Sequence, residues 1–170
     1  MTAGSELVLV HSPLVGPGSW QPTAMALEAE GLRCHIPSVA DTGGRPVRWR
    51  DWPDRIVAAL PGVRPMAIIG HSAAGLLLPA IARLMGAPSV VFVDAQFPPR
   101  SGRVRPIAGE FERFIQALPV SDGLLPRWSE WWGEGVIERL IHDAETRARF
   151  ESELPRLPPG WFDDSVEVPD

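Results

Sequence analysis

The sequence predicts an α/β fold: a mostly parallel sheet with flanking helices, followed by a helical lid. Three observations carry that expectation. Short apolar runs of strand length alternate with helix-like segments through residues 1–95. Short apolar strands separated by helices imply βαβ units and a parallel sheet covered on both faces. Residues 96–170 then turn rich in Pro, Trp and charge, a pattern that suits a lid and C-terminal segment of the same domain.

The elements follow in order. ELVLVH (6–11) reads as a strand, 20–30 as a helix closed by Gly31, and RCHIPS (33–38) as a second strand. Residues 52–60 form a helix ended by Pro61 and Gly62, and 66–70 form a buried strand. The Ala- and Leu-rich run 73–85 is a helix, and SVVFVDA (89–95) is a fourth strand. Beyond it, 98–106 reads as a loop and 110–118 as a short amphipathic helix. PRWSEWWGEGVIERLI brings Trp128, Trp131 and Trp132 together, and ELPRLPPGWF reads as a turn-rich stretch lying across the surface.

Composition limits the function classes. A chain of 170 residues with 45% hydrophobic content can bury one sizeable core. The net charge of −5, with no basic stripe, argues against a nucleic acid or an anionic membrane as partner. Cys34 is the only cysteine, and the N-terminus lacks a signal-peptide pattern, which points to the cytoplasm. No metal-ligand spacing, phosphate-binding glycine loop or nicotinamide fingerprint occurs, so neither metal nor cofactor is expected. A nucleotide-binding doubly wound protein is disfavoured by the same absence.

The sharpest signal is IIGHSAAG, which sets Ser72 between a strand and a helix. A nucleophile elbow puts its serine at such a turn, needs small neighbours, and uses the free N–H groups of the following helix for an oxyanion. Gly70, Ala73, Ala74 and Gly75 are all small. The usual GxSxG ends here as GxSxA, a run that fits an elbow and an ordinary β-to-α turn alike.

Three features in order, ELVLVHSPLVGPGSW, HIPSVADTGG and IIGHSAAGLLLPAIA followed by SVVFVDA, resemble the α/β-hydrolase superfamily. Within it the chain looks most like small cofactor-free serine esterases and methylesterases. The resemblance implies hydrolysis of a small ester or similar acyl substrate. Ser72 would be the nucleophile, with Ala73 and the turn holding His11, Ser12 and Leu14 at the oxyanion. It also implies a serine, acid, histidine order. Asp94, ending the fourth strand, is the leading acid, or else a loop-capping carboxylate; Asp41 and Asp143 are weaker choices. Only His142 follows Asp94, in a charged segment expected to be helical, where it is either the base or a histidine on a helix face. His71 should point away from the hydroxyl, and His35 reads as structural. Trp128, Trp131 and Trp132 either line an acyl pocket over Ser72 or pack the lid.

Two departures matter. Pro13 stands where the family's oxyanion loop donates an N–H, and proline has none. The family also continues past its lid with further strands, so a C-terminally shortened hydrolase is expected. Its fourth strand becomes an exposed edge that invites a second copy to pair. A truncated, non-catalytic binding or oligomerising module is therefore the alternative to a serine hydrolase whose base is supplied.

Overall fold

A computed structural model describes residues 5–39 and 46–169. Four parallel strands form the central sheet: β1 (Glu6–Val10), β2 (Arg33–His35), β3 (Ala67–Ser72) and β4 (Val90–Ala95), in the spatial order β2-β1-β3-β4. Val8 and Val10 point to one face of β1 and Leu7 and Leu9 to the other, the period-two alternation of a strand. Leu7, Leu9 and Ala67 are covered by Trp20 and Ala24, the latter on α1 (Gln21–Ala29). Val8, Val10 and Ile68 meet α2 (Trp52–Ala58) and α3 (Leu78–Met85) through Trp52, Ile56, Leu78 and Ile81. Leu78, Ile81 and Met85 recur at helical spacing on the buried stripe of α3, and Gly86 ends the helix in the left-handed conformation (φ 66°).

The outer strand has a different environment. Val90, Val91 and Val93 are 36, 42 and 41% exposed, and among the described residues β4 lies at the edge of the sheet with only β3 beside it. The expected apolar edge is thus present.

Residues beyond the sheet depart from expectation in three places. The 98–106 segment, expected as a loop, contains β5 (Gly102–Val104), which pairs antiparallel with β6 (Val166–Val168). The C-terminal stretch expected on the surface is buried instead: Leu157, Trp161, Phe162, Val166 and Val168 belong to the core. Trp161 packs on Trp49 and Trp52 at ring separations of 5.8 and 6.3 Å and donates its indole N–H to the Val47 carbonyl at 2.8 Å. Three large aromatic rings bury one another, and this outweighs the turn-forming prolines around them. Asp164 locks the same junction by accepting from Arg50 Nε at 2.6 Å and Arg50 N at 3.1 Å. Burial pushes the Asp164 carboxyl up, but the hydrogen bonds and charge of Arg50 outweigh it and hold the group low.

The third departure is at His142. Helix α4 (Gly109–Ala117) lies close to its expected place, and α5 (Val136–Leu140) and α6 (Ala144–Ser152) follow. His142 falls in the break between α5 and α6, not on a helix face, because Asp143 caps α6 by accepting from Thr146 N at 2.7 Å.

Candidate functional site

The carboxyl ends of β1, β3 and β4 share one edge of the parallel sheet, where open α/β sheets bind ligands. His11 and Ser12 follow β1, Ser72 ends β3, and Asp94 lies near the end of β4. The topology therefore gathers four of the expected site residues along one edge.

Ser72 has φ 58° and ψ −133°, a conformation that L-residues with side chains rarely adopt. The chain turns there from β3 directly into a 3-10 turn, Ala73–Leu77, that runs on into α3. Two glycines make the turn fit. A Cβ on Gly70 would meet Leu78 Cδ2 at 2.7 Å, and one on Gly75 would meet the Gln96 carbonyl oxygen at 2.3 Å. Gly75 thus provides the close approach to β4, while Ala74 is accommodated fully buried. As the first residue of its helical turn, Ala73 has an N–H with no acceptor one turn earlier.

Asp94 is set apart by a β-bulge. His71 pairs with Val93 and Ser72 with Ala95, so Asp94 is the extra residue, with φ 42°. Gln96 N donates to the Ser72 carbonyl at 3.0 Å just beyond it. The bulge leaves Asp94 exposed beside the serine strand.

The turn after β1 is held largely by its own groups. His11 Nδ1 lies 2.8 Å from the Ser12 carbonyl, so Nδ1 carries the proton and donates. Val15 N donates to the same carbonyl at 3.2 Å. Leu14 N–H, the substitute for the donor that Pro13 lacks, is directed to Ser12 Oγ at 3.3 Å. His11 is 4% exposed, and burial pushes its imidazole below the ordinary value; the bonds to Ser12 and Val15 and the charge of Glu153 oppose that drop. The ring is therefore neutral near pH 7.

The other histidines each have partners of their own. His71 packs edge-on against Trp20, with ring centroids 6.4 Å apart. His35 Nε2 lies 3.4 Å from Glu6 Oε1. His142 is exposed, and its Nδ1 lies 3.1 Å from the Glu138 carbonyl. Asp143 serves α6 as a cap, and its hydrogen bonds with Thr146 lower its pKa. Asp41 lies outside the described residues.

The lid tryptophans pack within the lid. Trp131 donates to the Pro126 carbonyl at 2.9 Å and meets Phe111 and Phe114; Trp132 stacks on Phe114, and Trp128 meets Trp132 and Phe150. A cavity of about 430 Å³ opens elsewhere, beside the β1 turn, between His11, Gly16, Val47, Trp52, Glu153 and Trp161. Sequence reasoning missed Glu153 and Trp161. Their partners lie more than a hundred residues away, and a lone Glu in a charged helix carries no local signal.

The sheet order, the strand-to-helix serine and the lid define an α/β-hydrolase architecture. A model of the Alpha/beta hydrolase family matches residues 7–170, and the chain belongs to that family. Among solved structures it is similar to an extracellular alpha/beta-hydrolase from a Paenibacillus species, with a TM-score of 0.67 and 18% identity. That match covers 96% of this chain and 71% of the other. It is also similar to a mutant of polyneuridine aldehyde esterase, with a TM-score of 0.63 and 16% identity over 95% of this chain and 71% of that one. At such identities the likeness shows the fold. A comparison with curated proteins finds no match. Among the described residues, no helix is long and apolar enough to cross a membrane.

Proposed function

We propose that the protein is a serine hydrolase that cleaves a small ester or related acyl substrate, with Ser72 as the nucleophile. The observation that carries this reading is the positive φ of Ser72 at the end of a parallel strand, on a turn that Gly70 and Gly75 keep tight. Backbone strain of this kind costs about 1–3 kcal/mol and persists where the surrounding structure enforces it. Ala73 N–H and the turn at His11, Ser12 and Leu14 would hold the developing oxyanion. The esterase among the structural neighbours supports an ester as substrate.

A serine hydroxyl is a weak nucleophile until a base takes its proton. In this reading His142 is the base and Asp94 the acid. Labelling with a fluorophosphonate, read by intact mass, tests the reading directly. The expected result is one adduct per chain, lost in Ser72→Ala and strongly slowed in His142→Gln. A folded chain that takes no label overturns it.

The exposed Val90, Val91 and Val93 favour a second reading, in which the protein is a non-catalytic member that associates through β4 with another copy. Antiparallel pairing about Phe92 would place each Asp94 opposite an apolar residue of the partner strand and keep the two carboxylates apart.

A further inference from the structure

A part-buried hydrogen bond joins the turn after β1 to the end of α6. Gly18 N donates to Glu153 Oε2 at 2.6 Å, a bond between residues 135 apart in the chain. Around it the turn is otherwise tied to itself: Ser19 N and Ser19 Oγ both bond to the Gly16 carbonyl, and Val15 N bonds to that of Ser12. Two glycines leave the space that Glu153 fills. A Cβ on Gly16 would meet Glu153 Cβ at 2.3 Å, and one on Gly18 would meet Glu153 Oε2 at 2.7 Å. Gly16 has φ −92° and ψ 175°, a conformation open to any residue. Its lack of a side chain therefore serves the approach of Glu153 and not the turn itself.

At its other end, Glu153 is the C-cap of α6, whose N-terminus is fixed by Asp143. The helical lid and the turn carrying Ser12 and Leu14 are thus joined by a charge-assisted hydrogen bond, which is shorter and stronger than a neutral one. Glu153 and Gly16 also line the cavity beside His11, Trp52 and Trp161.

We propose that Glu153 is a positioning residue, the pin through which the lid sets the conformation of the oxyanion turn. Its effect on chemistry rests on the reading of Ser72 as nucleophile, while the pin itself does not. Movement of α6 would pull on Gly18 and, through the short segment between them, on Ser12 and Leu14. Lid position and oxyanion geometry are then linked without any shared catalytic group.

Amide hydrogen exchange at Gly18 and the fluorophosphonate labelling rate at Ser72, measured together, test this. Glu153→Ala is expected to speed Gly18 exchange about tenfold or more and to slow labelling about tenfold, since Gly18 loses its acceptor and the turn its tie. Glu153→Gln retains an acceptor and is expected to recover most of both. Gly16→Ala, which displaces Glu153 without removing it, is expected to speed Gly18 exchange in the same way, and it serves if Glu153→Ala does not fold. Unchanged Gly18 exchange in these variants overturns the pin. Faster exchange with an unchanged labelling rate overturns its positioning role. If the unaltered chain takes no label, the Ser72 reading fails, and the exchange data still decide the pin.

Discussion

Strands β3 and β4 are neighbours of equal length, and each opens on apolar residues, yet they live in opposite environments. Ile68 on β3 is fully buried, whereas Val90, Val91 and Val93 on β4 keep more than a third of their surface exposed. The difference lies in what flanks them. β3 has β1 on one side, β4 on the other and α3 against its face, while among the described residues β4 has a sheet neighbour on one side only. Apolar composition therefore marks a strand as able to be buried, and its place in the sheet decides whether it is. The strained serine is on the enclosed strand, where packing can enforce its backbone. The exposed Asp94 lies on the open one, at a bulge.

Three substitutions would break or sharpen that contrast. The largest effect is expected at the enclosed strand. Ile68→Ala removes side-chain volume from a fully buried site and should cost about 2–5 kcal/mol in urea unfolding. A cost below about 1 kcal/mol would mean that β3 is not the packed centre of the sheet. At the junction of the two strands, Gly75→Ala drives a methyl into the Gln96 carbonyl and Ala95, and should cost about 1–3 kcal/mol. It should also slow fluorophosphonate labelling, because relief of the clash moves Ser72; full stability with an unchanged labelling rate would show that the elbow does not depend on its contact with β4. The smallest effect on stability is expected on the open strand. Val91→Lys should change the stability of the monomer by no more than about 0.5 kcal/mol. It should nevertheless abolish any concentration-dependent association seen by sedimentation velocity, since a charge on an exposed edge blocks strand pairing. Association that survives the lysine would place the contact elsewhere.

Much of the architecture was legible because its signals are local. Strand length, apolar runs and helix ends at Gly31 and at Pro61 and Gly62 depend on neighbours a few residues away, and so do the small residues around Ser72. The sharp strand-to-helix turn at Ser72 followed from the same reasoning, while its positive φ is a finding of the structure. The edge position of β4 was legible too, from the strand order that the family resemblance implies. By contrast, His142 was misplaced onto a helix. The apolar and charged spacing there is helical on both sides, and the capping bond of Asp143 that breaks it is a matter of one hydrogen bond.

The sequence by itself determined the alternation of strands and helices, the serine turn and its membership of a parallel sheet, because each is written in spacings of two to seven residues. Only the tertiary structure decided the rest. It drew Trp161 from an expected surface segment into a cluster with Trp49 and Trp52, paired β5 with β6, opened the bulge at Asp94 and brought Glu153 to Gly18. These contacts join residues that are far apart in the chain or differ by a single register step. The energy that selects them is burial and hydrogen bonding summed over the whole packed molecule, and no local pattern records that sum.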